Sequence, residues 1–453
     1  MRGGERHRDD DRLAAPWSRS NRPVVRRVIQ PLQSFLETEA SGGILLLIAA
    51  LGALVWANSP WHGSYATLWN TVLRVDAGSL HVHASVRQMV NEGLMTLFFF
   101  VVGLEIKREL TTGELRNPRA VALPAIAALG GMVVPAGIYL AVNAGRPGAN
   151  GWGIPMATDI AFAVGVLTLA AGRAPPSLRP FLLALAIVDD IGAIVVIAVF
   201  YSTAIHPAAL GAAVAGILVM VGLQRIQVRF LPAYVALGVA VWLATLASGV
   251  QPTIAGVVLG LLTPAIAFQR PAAVSEEAHR IADETRDDPE PPDADAPHWL
   301  RLAWLSREAV SPLARLEAGL HPWTSFLVVP LFALANAGVR LTGGRLADAT
   351  TSRVALGVLL GLVVGKPAGV MLAGSLAVRA RVGALPAGTT WGQFGGAAAV
   401  AGIGFTVSLF VADLSFDDAA LLSAAKVGIL AASVLAGTIG FLVLSQTARR
   451  RHR

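Results

Sequence analysis

Apolar positions along this chain come in long blocks separated by short polar stretches, and a block of about 20 residues is the length that crosses a bilayer as a helix. Twelve such blocks run through residues 43–57, 89–106, 121–141, 152–170, 178–201, 207–223, 230–247, 250–268, 323–339, 354–378, 394–412 and 421–444. They predict an all-α polytopic membrane protein with twelve transmembrane helices. One stretch breaks the helical pattern: residues 73–83 read LRVDAGSLHVH, with turn residues between alternating segments, which predicts a hairpin outside the bilayer. The domain plan is then a polar N-terminal tail over 1–34, spans one to eight within 35–269, a charged loop over 270–299, an interfacial segment and spans nine to twelve within 300–446, and a basic tail over 447–453. The 270–299 loop is rich in charge, alanine and proline without a clear period, so disorder is expected there. Residues 300–320 read as an amphipathic or interfacial stretch carrying Glu317.

Composition agrees with this class. Of 453 residues, 54% are hydrophobic and 14% charged, with a mean hydropathy of +0.60, far from the roughly one quarter charged of a soluble domain. The absence of cysteine excludes disulfides, thiol catalysis and cysteine-bound metals. The net charge of +7 does not point to nucleic acid, because the basic residues lie in the connections between spans. With the N-terminus inside, 28 of the 36 lysines and arginines fall on one side and six on the other, leaving Lys366 and Lys426 within the membrane or at its margin. That asymmetry predicts two cytoplasmic termini. The first thirty residues are polar and arginine-rich without an apolar core, so they read as a cytoplasmic tail rather than a cleavable signal.

Ionisable and helix-breaking residues inside the spans mark the chemistry, because an isolated charge in hydrocarbon costs several kcal/mol. Asp189 and Asp190 sit near the middle of the fifth span. Adjacent helical positions point about 100° apart, so one acid can face a water-filled cavity while the other meets a basic group on another helix. Lys366, in the tenth span, has no charge near it in sequence and needs a carboxylate partner, Asp189 or Asp190, or a water path. In the fourth span Pro155, Thr158 and Asp159 combine a helix breaker with hard oxygen donors suited to a small dehydrated cation. Gly402, Gly404 and Thr406 form a second interruption in the eleventh span. Two interrupted helices in corresponding parts of two halves point to an inverted-repeat transporter, with Asp159 offsetting facing helix N-termini and Lys366 facing C-termini. Glu105, Arg108 and Glu109 gather at the cytoplasmic end of the second span. On residues alone a coupled symporter, a cation channel, an intramembrane aspartyl protease using paired acids, and a non-transporting scaffold remain as alternatives.

The segments GLEIKREL, ATDIAFA, ALAIVDDIGAI, LFALANAG, GKPAG and GIGFTVSLF occur in that order, and with them the chain resembles the bacterial NhaA-type sodium/proton antiporter family across residues 35–446. The resemblance implies inverted three-span repeats, here spans three to five and ten to twelve, and interrupted fourth and eleventh helices. It implies electrogenic, pH-regulated exchange of internal Na+ or Li+ for external protons in the bacterial inner membrane. The family has no cofactor and no catalytic residues; its partners are small cations, the lipid bilayer and a second copy, joined partly through the 73–83 hairpin. By motif, Asp190 resembles the essential ion-binding carboxylate, Asp189 the conformation-dependent partner of Lys366, and Thr158 and Asp159 the ligands at the interruption, with Asp159 and Asp190 holding Na+. Glu105, Arg108, Glu109 and Glu317 resemble the network tied to pH activation. Where the family often has a histidine before its eighth span, this chain has Gln251, which does not titrate.

Overall fold

The computed structural model describes residues 41–77, 80–170, 175–202, 205–284, 296–341 and 351–449. The two expected tails lie wholly (1–34) or partly (450–453) outside this range, as do the extension of the first span over 35–40, the hairpin tip at 78–79 and the acidic stretch 285–295. Among the described residues eight helices are long and apolar enough to cross a membrane: α1 (Ser41–Asn58), α3 (Val86–Thr111), α4 (Pro118–Asn143), α6 (Leu178–Phe200), α7 (Pro207–Arg225), α12 (Pro312–Asn336), α13 (Arg353–Arg379) and α16 (Ala419–Arg449). Two more spans are broken. A 3-10 segment, Pro147–Met156, meets α5 (Ile160–Leu169) at 47°, and α14 (Trp391–Val400) meets α15 (Phe405–Ser415) at 46°. Two shorter apolar helices, α8 (Leu231–Ala247) and α9 (Thr253–Leu262), complete the bundle. Between α1 and α3 a small helix, α2 (His62–Asn70), leads into strands β1 (Val72–Ala77) and β2 (Leu80–Ser85), paired antiparallel from Val72 with Ser85 to Ala77 with Leu80.

The expected disorder over 270–299 is a point of difference. Residues on either side of the undescribed stretch form helices α10 (Pro271–Glu284) and α11 (Ala296–Glu308). The apolar positions of α10, Val274 and Ile281, are two turns apart and both buried. So sparse a stripe among charges and alanines is hard to see in sequence, and packing against a neighbour stabilises it. The eighth span is also shorter than its apolar block, ten helical residues ending at Leu262.

Local rules explain how the longest helices start and bend. Asn117 caps α4 by accepting from the Arg119 amide at 3.1 Å, with Pro118 at the first helical position, where a missing amide costs nothing. In α13 a π-helical turn, Gly361–Gly365, directly precedes Lys366 and Pro367. Proline lacks an amide donor and crowds the preceding turn, and one widened turn absorbs that misfit. The π-turn Thr324–Val328 ahead of Pro330 in α12 is the same device.

Helices α4 and α13 form the centre of the bundle. A Cβ on Gly130 would stand 2.4 Å from the Gly369 carbonyl oxygen, and a Cβ on Gly357 2.5 Å from the Asn143 side chain. The residue order along the two helices runs in opposite senses, so they pack antiparallel, with backbones closer than any side chain permits. Each begins a series of long helix, broken helix and long helix, over 118–200 and 353–449, and the two breaks meet beside them. That is the arrangement an inverted-topology repeat produces.

Candidate ion-translocation site

The site is built where the two breaks touch. In the first, Ala157 and Asp159 are extended rather than helical, and this exposes main-chain groups at the level of the membrane. The second break supplies their partners. The Asp159 amide donates to the Ile403 carbonyl at 2.6 Å, and Thr158 Oγ1 donates to the Ala401 carbonyl at 2.9 Å. Non-helical backbone at membrane depth is tolerated only where protein or a cavity satisfies it, and each break here satisfies the other.

Asp159 serves two helix N-termini at once. Its Oδ1 accepts from the Phe162 amide in α5 at 3.1 Å, while Oδ2 accepts from the Thr406 amide at 3.1 Å and from Thr406 Oγ1 at 2.6 Å in α15. A carboxylate in that position offsets the positive ends of both half-helices. Pro155 lies in the 3-10 segment, against Gly361 of α13. Gly402 and Gly404 shape the second break, where a Cβ on Gly402 would stand 2.4 Å from the Leu362 carbonyl oxygen.

Lys366 is fully buried, and its Nζ donates to Asp189 Oδ2 at 2.6 Å and also to the carbonyl of Met156, the last residue of the 3-10 segment. The ammonium thus meets one negative helix end. No bond to the second C-terminal end, that of α14, accompanies it among the described residues. Thr158 also neighbours Asp189. Asp190, on the adjacent face of α6, is nearly fully buried, and its Oδ1 has no hydrogen-bond partner among the described residues. The charges of Asp189, Glu105, Lys366 and Asp159 all act on it. Asp189 Oδ1 is likewise without a partner, so the two neighbouring acids differ in the base: Asp189 is paired with Lys366, and Asp190 has no basic partner in contact among the described residues.

A cavity of about 360 Å³ approaches this point between the ends of α3 and α6, lined in part by Glu109, Arg179, Leu183 and Ile187. Ile187 is one helical turn from Asp190. Arg108 bonds to Glu317 of α12 and lies 3.4 Å from Glu109, so α3 and α12 are joined at this mouth. Glu105 makes no bond to Arg108 among those resolved, but it lies in the field of Glu317, Arg108 and Glu109. On the other side of the site, Asn91 Nδ2 donates to Asp413 Oδ2 at 2.6 Å and Asn336 Nδ2 to Asn91 Oδ1 at 2.7 Å, which ties α3, α12 and α15 together.

Several contributors escape sequence reasoning. The carbonyls of Met156, Ala401 and Ile403 leave no sequence signal. Ser408 Oγ donates to the Ile154 carbonyl at 2.7 Å; Tyr201 accepts from the Gly153 amide and donates to the Asn150 carbonyl. These clamps hold the 3-10 segment in place. Ser408 stands within GIGFTVSLF, two residues after Thr406, and a buried hydroxyl there was its only trace.

Residues 33–444 match the family model described as Na+/H+ antiporter 1. The chain belongs to the Na+/H+ antiporter family. It is 48% identical over 430 residues to "Na(+)/H(+) antiporter NhaA 2" of Sorangium cellulosum, covering 93% of this chain and 91% of that one. It is 47% identical over 447 residues to "Na(+)/H(+) antiporter NhaA 2" of Myxococcus xanthus, covering 96% and 93%. With "Na(+)/H(+) antiporter NhaA" of Rhizobium meliloti it shares 43% identity over 429 residues, covering 94% and 97%. This antiporter is a multi-pass membrane protein that exchanges sodium ions for protons, a transporter and not an enzyme.

Proposed function

We propose that exchange runs through a single carboxylate centre at Asp190, assisted by Asp159 and Thr158, with Lys366 and Asp189 as a separable charge pair. The observation that carries this reading is the contrast between the two adjacent acids: each keeps one buried oxygen without a partner, but only Asp189 is paired with Lys366, while Asp190 has no ion pair among the described residues and lies one turn from a cavity. A buried carboxylate that lacks partners gains most from a cation or a proton, and it cannot hold both. An entering Na+ or Li+ therefore displaces the proton of Asp190, and a proton arriving from the other side displaces the cation. Exposing this centre to one side at a time makes the exchange obligatory.

Electrogenic transport follows if a second charge leaves as the cation binds. When Na+ draws Asp189 away from Lys366, the ammonium loses its partner and becomes able to release a proton. One cation is then traded for more than one proton. In this reading Glu105, Arg108, Glu109 and Glu317 at the mouth of the cavity adjust activity with pH, and this role rests on them because Gln251 does not titrate. The twelve-span count, two cytoplasmic termini in a bacterial inner membrane, and a homodimer joined through β1 and β2 complete the proposal; the arginine asymmetry supports the first two, and the paired strands beyond the bundle support the last.

The test is Na+-driven proton movement in everted vesicles carrying Asp190→Asn. The expected result is loss of both Na+ and Li+ exchange with normal amounts of inserted protein. Robust exchange by that variant would overturn the assignment.

A further inference from the structure

Between α9 and α12 the chain leaves the bundle as an arm of two helices, α10 and α11, which contributes no group to the ion path. Glu277 of α10 accepts from Arg280 at 2.6 Å and lies 3.3 Å from Arg301 of α11, so the two helices are drawn together over Val274 and Ile281. The C-terminal end of α11 is fixed to the bundle. Buried Glu308 receives Arg229, whose guanidinium also lies 4.5 Å from the Phe268 ring centroid. The Gln269 amide donates to the Glu308 carbonyl at 3.0 Å, and the Leu313 amide to the Pro264 carbonyl at 3.1 Å. These partners are the ends of α8, α9 and α12, so α11 joins the bundle at the level where membrane helices give way to water.

The free face of α11 carries three large apolar side chains around one arginine, Arg307. Trp299, Leu300 and Trp304 are 47%, 70% and 51% exposed. At about 100° per residue they fall, together with Ala303 and Arg307, within an arc of about 140°, while half-buried Leu302 and Leu305 lie on the opposite side. Leaving such side chains in water is unfavourable. Exposed Ile226, Phe230 and Ile266 flank the joint at Arg229 and Phe268, so the patch continues the lipid-facing wall of the bundle. Tryptophan is the residue that concentrates at membrane interfaces, with an apolar ring and one polar N–H.

We infer that α11 lies in the interface of the bilayer the bundle spans, with Trp299, Leu300 and Trp304 seated at the boundary between headgroups and acyl chains. The contact is apolar and aromatic rather than electrostatic. Acids outnumber bases over residues 270–308, and Glu276, Asp283 and Glu284 on α10 favour water over an anionic surface. Only residues 309–311 separate α11 from α12, so the depth of α11 sets the position of the α12 end that presents Glu317 to Arg108.

The chain has no cysteine, so single-cysteine labels report without background. Spin labels at Trp304→Cys and Leu300→Cys in proteoliposomes are compared with a label at His279→Cys, an exposed site on α10. Expected is a severalfold higher ratio of oxygen to nickel-chelate accessibility at 300 and 304 than at 279, unchanged between neutral and anionic lipids. Unlabelled protein in brominated lipid provides a second reading, in which Trp299→Phe with Trp304→Phe removes a quenchable part of the fluorescence. Ratios equal to that at 279 would overturn the inference. Shielding from both reagents would overturn it in favour of a protein partner, and shielding seen only in anionic lipid would overturn the apolar contact in favour of charge.

Discussion

The two helix breaks bend by nearly the same angle, 47° and 46°, yet they are made in opposite ways. The first runs extended through Ala157 and Asp159 and presents side-chain oxygens and a free amide. The second stays tightly turned, with Gly402 bonded back to the Ala399 carbonyl and Ile403 to Val400, and presents carbonyls with no charge of its own. Neither is satisfied alone. Thr158 and Asp159 use the carbonyls of Ala401 and Ile403, and the N-terminus of α15 uses the carboxylate of Asp159. Two interrupted helices of one repeat design therefore divide the work: one supplies side-chain oxygens and an amide, the other the carbonyls and helix end that satisfy them.

The largest expected effect comes from removing the charge that serves only the first break. Lys366→Ala leaves Asp189 buried and unpaired, which should cost about 3–5 kcal/mol. Measured by thermal unfolding in detergent, this loss should shrink when Asp189→Asn is added. Additive losses across that double-mutant cycle, with unchanged transport currents, would remove both the pairing and the proton-carrier role.

Gly402→Ala tests the scaffold half. Its Cβ would press on the Leu362 main chain, a backbone neighbour that cannot rotate away, and overpacking of this kind costs about 1–3 kcal/mol. Exchange should fall although no ion ligand is touched. Wild-type rates at full stability would show the second break to be loosely packed, contrary to the division of work above.

Asp159→Asn keeps the shape of the shared cap and removes its charge. A loss of about 1–2 kcal/mol in stability is expected, with a weaker apparent affinity for Na+ in proton-release titrations. An unchanged cation dependence would confine Asp159 to capping. The smallest effect should come from Thr406→Val, which deletes one of three bonds to Asp159 and should cost about 0.5–1.5 kcal/mol while leaving exchange largely intact. If Thr406→Val abolished exchange, a hydroxyl of the second break would have to be counted among the ion ligands.

Much of this was legible in the chain. Hydropathy found the apolar blocks, and proline and glycine marked both breaks at Pro155 and at Gly402 and Gly404. These signals are local: a bilayer demands a continuous apolar length, and a helix fails wherever an amide is missing or a backbone must come close. The helix α10 was missed because two apolar residues, Val274 and Ile281, are too few to declare a face without the neighbour they pack on.

Which acid pairs with Lys366 lay beyond the residues themselves, although the family resemblance pointed to Asp189. Adjacency says that Asp189 and Asp190 point apart, but which of them meets Lys366 depends on where α13 passes α6, and the two partners are 177 residues apart. The same holds for the carbonyls of Met156, Ala401 and Ile403, since every residue carries a carbonyl and only the crossing of two breaks makes three of them binding partners. Sequence determined which groups had to be satisfied inside the membrane, because the cost of burying them is a property of each group. The tertiary structure decided which group satisfies which, because that is a property of distance.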